Sequence, residues 1–193
     1  MRTPHLSLIF LAGSLAFTFG QTPEDAARRF EEAARQIVRL PPAAFPELPR
    51  AVVGELQRRR CTIPQPYRNP GAPGRNVIRG SFAKPGQTDW AVLCSVNGSS
   101  SILVFWNGSA RNPAEIAPQK DSGFLQSYGE DRIVYSRDLG TAGRDYVLER
   151  FRAYGGPTPP PMDHLGVNDF FVGKASIVRY FYQGKWLELQ GAD

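Results

Sequence analysis

The hydrophobic period of this chain changes once, and that change limits the folds open to it. Up to residue 60 the apolar residues recur at spacings of three and four. Beyond a stretch rich in Pro, Gly and Asn (62–75) they gather into short β-branched and aromatic runs. The first pattern lays apolar groups along one side of a helix, and the second, bounded by turn residues, forms strands. Helices first, then mostly neighbouring antiparallel strands, predict an α+β domain. The expected architecture is two N-terminal helices packed on a mostly antiparallel sheet of about six to seven strands.

Local signals set the expected boundaries. Thr22 caps a first helix, Pro23 suits its first position, and Glu24 and Asp25 meet its positive end. Phe30, Ala34, Ile37 and Val38 share one face, and Pro41-Pro42 stops the helix. A second helix is expected over 46–60 with Leu48, Val52 and Leu56 inward. Arg58-Arg59-Arg60 then lies at its C-terminus, where cations complement the macrodipole. Strands are expected over 76–82, 89–96 and 101–106, with Asn97-Gly98 turning between the last two. Residues 132–137 and 145–152 are read as a hairpin around Gly140 and Gly143, and 175–182 with 185–189 as another through Gln183-Gly184. Segment 124–128 stays ambiguous, and 155–161 reads as a rigid, irregular connector.

The first twenty residues carry a second kind of information. Arg2 supplies a positive start, Leu6 to Phe19 is apolar and uncharged, and Thr18 and Gly20 are small residues before a cut ahead of Gln21. These are the parts of a secretory signal, and the apolar run is shorter than a spanning helix needs. Residues 1–20 are therefore expected to be a cleaved signal peptide. Residues 21–193 are expected to be one domain, secreted or periplasmic, with no membrane anchor after cleavage.

Export permits oxidation, so Cys61 and Cys94 are expected to form a disulfide. No third cysteine and no His cluster is present, so no zinc site and no cofactor is expected. The chain is basic (formal net charge +5), but its cations are spread, so nucleic acid is not an expected partner. Phosphate-loop and dinucleotide fingerprints are absent. Asn97-Gly98-Ser99 and Asn107-Gly108-Ser109 match the glycosylation acceptor pattern and in a bacterial chain are only turns.

Within Ser81–Val92, Phe82, Gly86, Asp89, Ala91 and Val92 fall at a familiar spacing. This segment resembles one repeat of the FG-GAP/VCBS type found in integrin-like β-propellers. The resemblance implies a strand–turn–strand unit. Ser81, Ala83 and Pro85 stand where oxygen ligands would be expected, so it implies no bound calcium. The residues themselves suggest a turn in which Gly86 takes the special backbone angle and Asp89 binds loop amides. The chain as a whole also resembles the exported proteins of soil-type bacteria, a likeness that implies no activity.

Candidates for chemistry are few. His164 lies beside Asp163, Asn168 and Asp169, and a carboxylate-oriented His is a possible general base. No Gly-x-Ser-x-Gly elbow supplies a nucleophile, and a loop-anchoring role for His164 is the plainer alternative. Glu130-Asp131, Asp138 and Asp145 offer carboxylates but read most simply as solvated acids flanking turns. On the final hairpin Tyr180 and Tyr182 share one face and Phe181 the other. Unless both faces are covered, one set points outward, so Tyr180, Tyr182 and Trp186 form the expected binding face for an unknown protein or carbohydrate ligand. The leading reading is a non-catalytic exported binding or interaction domain. The alternative is a small extracytoplasmic hydrolase using His164 with Asp163 or Asp169. An inhibitor or structural envelope component is a third.

Overall fold

The structure is a computed structural model that describes residues 22–67, 71–129 and 132–192. The expected signal peptide (1–20) and the Glu130-Asp131 pair lie outside the described residues.

Helix α1 (Pro23–Arg35) begins as its sequence implies. The Thr22 hydroxyl accepts from the Asp25 amide at 3.1 Å, and the Asp25 carboxylate accepts in return from Thr22. It ends at Arg35, before the two prolines, and Val38 beyond it is 63 % exposed. Helix α2 (Arg50–Arg58) buries Leu48 just ahead of it and Val52 and Leu56 within it. The arginines stand at its end, where Glu55 binds both Arg58 and Arg59 at 2.7 Å. Those hydrogen bonds, Arg58's first, lower the Glu55 carboxyl to about 2.

Among the described residues twelve strands follow or interleave, and the expected single sheet of six to seven is corrected to four antiparallel sheets. The first large sheet has the order β3 (Val77–Gly80), β4 (Asp89–Val96), β5 (Ser99–Phe105), β6 (Ala114–Lys120). The second is β12 (Lys185–Gln190), β11 (Ala175–Tyr182), β10 (Gly166–Phe171), β9 (Arg137–Ala142). Two small sheets pair β1 (Arg39–Leu40) with β2 (Ile63–Pro64), and β7 (Leu125–Tyr128) with β8 (Arg132–Tyr135).

Residues 145–152, expected as a strand, lie in helix α3 (Arg144–Tyr154). Val147, Phe151 and Tyr154 recur at helical spacing, Asp145 sits in the first turn, and Gly155 ends the helix at φ 76°. Segment 132–137 consequently lacks its expected partner. Its first four residues pair with β7, and the chain then passes to the second sheet at Arg137.

Period-two alternation makes the packing layered. Trp90, Val92, Cys94, Leu103 and Phe105 on one face of the first sheet meet α2, Phe45 and Ile63. Ala91, Leu93, Ile102 and Val104 on its other face meet Leu139 and Val167 of the second sheet. The far face of the second sheet, with Val178, Tyr180 and Leu189, is covered by α3 through Val147. The centre of the first sheet is thus buried on two sides, which explains the unbroken run of buried residues from Asp89 to Ser95, whereas β11 of the second sheet alternates and leaves Ile177 exposed. Helix α1 lies apart from these layers, on the β7–β8 hairpin, through Ala33, Ala34 and Ile37.

Cys61 and Cys94 form the disulfide, joining the segment after α2 to β4. Asn76, buried at φ 69°, ties the sheets together: its amide donates to the Pro64 and Arg137 carbonyls and accepts from the Leu139 amide. In the 81–92 segment Gly86 takes φ 76°. The fully buried Asp89 carboxylate accepts from the amides of Phe82, Ala83 and Asn107 and from the Gln87 side chain. Asp89 therefore organises a turn through its loop amides.

Candidate functional site

His164 faces a packed wall. Its ring lies flat on Tyr180, centroids 4.3 Å apart and planes 9° from parallel, and its side chain is 4 % exposed. Nδ1 is 3.0 Å from the Leu165 carbonyl oxygen. Asp163 Oδ1 stands 3.9 Å from Nε2, beyond hydrogen-bond distance. Asp169 belongs to a different network: both its oxygens accept from Arg137, at 2.9 and 2.8 Å, and Arg179 Nε lies 4.0 Å away. His164, Asp163 and Asp169 are thus not assembled into one constellation. Among the described residues no group of three or more His, Cys, Asp or Glu is placed to hold a metal ion.

On the expected face of the final hairpin, Tyr180 is packed away while Tyr182 and Trp186 stay half-buried. Tyr180 is fully buried, and burial raises its hydroxyl pKa. Tyr182 and Leu187 pack beside it toward α3. On the opposite side Trp186 stacks on Trp106 at 5.8 Å, and Phe181 meets both rings. Sequence alternation required a free face only if one side of the strand lacked cover, and here helix and sheet each supply partial cover.

The open site is elsewhere, around Tyr67. Tyr67 follows Pro64-Gln65-Pro66 and is anchored by its own backbone, whose amide donates to the Tyr135 carbonyl at 2.8 Å. Its ring lies 5.1 Å from Tyr128 at the end of β7, tilted by 48°. Arg132, at the start of β8, spans both rings. Its guanidinium carbon is 5.2 Å from one centroid and 5.1 Å from the other, and Nη1 donates to the Tyr67 hydroxyl at 2.6 Å. The β7–β8 pairing sets Tyr128 opposite Arg132, so the sheet places two members of the trio and the proline-bounded loop brings the third.

Both tyrosines remain accessible, Tyr67 43 % and Tyr128 50 % exposed. Exposed Val38 and Val172 flank them. Four surface cavities share Tyr67 as a wall, three of them of about 350–380 Å³. The cavity shared with Tyr128 also presents Gln126, Ser136 and Asp138. Gln126 is held there by donating to the Ser136 hydroxyl at 2.7 Å and the Val172 carbonyl at 2.8 Å. Asp138 is held by the Arg75 guanidinium at 2.7 Å and the Leu139 amide. Tyr135 closes the cavity floor. Burial first, and the Asp121 carboxylate second, push its hydroxyl pKa far above the ordinary value and keep it neutral.

The arrangement is a preset surface of aromatic rings, one guanidinium and fixed amide and carboxylate groups, suited to binding. Sequence reasoning passed over it because the three residues are distant in the chain and two lie in segments without a clear period. The available signal was a lone Tyr between prolines in an otherwise polar loop. Compared with known proteins, the chain matches no family model, no curated protein and no solved structure.

Proposed function

We propose that the chain is a non-catalytic binding domain that works outside the cytoplasm, and that its ligand rests on the Tyr67–Tyr128–Arg132 surface. The observation that carries this reading is the open aromatic pair bridged by Arg132, in which Tyr67 lines four cavities and Tyr128 shares one of them. Aromatic side chains left accessible and held rigid present large contact area at small entropic cost on binding. Export is supported by the signal-like residues 1–20 and by the disulfide. Among the described residues no helix is long and apolar enough to cross a membrane. The packed His164 supports binding over hydrolysis, because a general base needs reach to the proton it takes.

The test is retention of envelope material, fractionated into protein and polysaccharide, on immobilised wild type and on the Tyr67→Ala/Tyr128→Ala double variant. Retention by wild type and its loss in a variant with an unchanged far-UV spectrum are expected. Equal retention by the two proteins would remove the surface from consideration.

A further inference from the structure

We infer that the Tyr67 surface binds an acidic polysaccharide, with the carboxylate of a uronic-acid unit on Arg132 and sugar rings against Tyr67 and Tyr128. This rests on the reading of that surface as the binding site. Three observations select the ligand class.

The first is the position of Arg132. A guanidinium lying over two tyrosine rings already holds the place a ligand cation would take, so a cationic ligand meets repulsion there. Its planar fork has five N–H donors, one of which bonds Tyr67 among the described residues, and that fork matches a carboxylate in two-point geometry. The formal charge of +5, or +4 without Arg2 of the expected leader, favours approach of a polyanion.

The second is the shape of the site. Cavities of similar size, about 350 Å³ for two and 380 Å³ for a third, share one tyrosine as a wall and differ in their other lining residues. A linear polymer of like units can occupy neighbouring depressions in turn. A peptide instead relies on a free strand edge or on deep apolar pockets for alternate side chains. The cavity beside Tyr128 is lined by Gln126, Ser127, Ser136 and Asp138, polar groups of the kind that hydroxyls meet.

The third is prearrangement. Gln126 spends its N–H groups on Ser136 and Val172, which turns its carbonyl oxygen into a fixed acceptor for a sugar hydroxyl. The tyrosines, each about half exposed, offer apolar ring surface to the C–H side of a sugar, with the Tyr67 hydroxyl held by Arg132.

The experiment is titration calorimetry of the folded mature chain with three probes: an oligogalacturonate, a neutral oligogalactoside of the same length, and a polyglutamate peptide. Wild type is compared with Arg132→Gln, Arg132→Lys and Tyr128→Ala, each checked for an unchanged thermal midpoint. The oligogalacturonate should bind, with affinity falling as salt rises. Arg132→Gln should weaken it by about tenfold or more, as loss of a charge-assisted contact implies, and Arg132→Lys should restore only part. Tyr128→Ala should weaken it as well. Equal binding of the neutral oligosaccharide would overturn the acidic-sugar assignment. Equal binding of polyglutamate, insensitive to Tyr128→Ala, would reduce the effect to charge attraction and overturn it too. If no oligogalacturonate binds while envelope retention still depends on Tyr67 and Tyr128, the polysaccharide assignment falls and the binding surface stands. If both fail, the surface itself is not a site.

Discussion

At the scale of single residues, Arg137 shows how far a side chain's role depends on partners the chain brings from elsewhere. It is fully buried, yet every N–H of its guanidinium has an acceptor. Nε and Nη2 reach Asp169, Nη1 reaches the Ser100 carbonyl and hydroxyl, and Nη2 also reaches the Ala117 carbonyl at 2.9 Å. That last carbonyl is turned inward by the irregularity between Ser100 and Ile102, where Ala117 takes φ 54°. Arg137 thus staples the second sheet to the first. Arg137→Met should cost about 3–5 kcal/mol, because it leaves the Asp169 charge buried without its main partner. Adding Asp169→Leu to Arg137→Met should recover much of the loss. Urea denaturation measures both, and a single-variant cost under about 1 kcal/mol would contradict the network's assigned role. Asp169 drew notice in the sequence because His164 is nearby. Its true partner is 32 residues away, a distance over which no spacing argument operates.

At the scale of elements, turn chemistry was the most legible part. The final hairpin and the β4–β5 hairpin fall within a residue or two of expectation, since Asn97-Gly98 and Gln183-Gly184 adopt positive φ as such turns require. Helix α3 departs from the expected strand: Tyr146, Val147 and Leu148 look β-prone in a short window. Of the helix's residues Val147 is the one fully buried, and Gly155 at φ 76° closes its end. Two glycines separate packing from propensity. A Cβ at Gly166 would stand 2.6 Å from Val178 Cγ1 and 3.2 Å from the Arg179 carbonyl oxygen, whereas one at Gly54 in α2 would meet nothing within 4 Å. Gly166→Ala should therefore destabilise by about 1–3 kcal/mol through overpacking. Gly54→Ala should stabilise by about 0.5–1 kcal/mol through helix propensity. Thermal midpoints moving in the same direction would refute the distinction.

At the scale of the molecule, the disulfide closes a loop of 33 residues and holds the α2 layer on the first sheet. In the chain-entropy model its removal, as Cys61→Ala/Cys94→Ala, should cost about 3–4 kcal/mol in urea denaturation. An unchanged midpoint would mean that packing of Val52 and Leu56 alone secures that layer. The sequence by itself determined the elements whose causes are local: the capped first helix, the inward face of the second, the glycine turns and the redox-compatible cysteine pair. It also determined the α+β class, because period is read within a few residues. Only the tertiary structure decided that the strands divide into two large sheets packed face to face. That packing, with α3 on the far side, buries Tyr180 and His164. The same folding brings Tyr67, Tyr128 and Arg132 from separate segments to one open surface. Contacts between residues so far apart in the chain are selected by the fit of whole layers, and no local pattern encodes them.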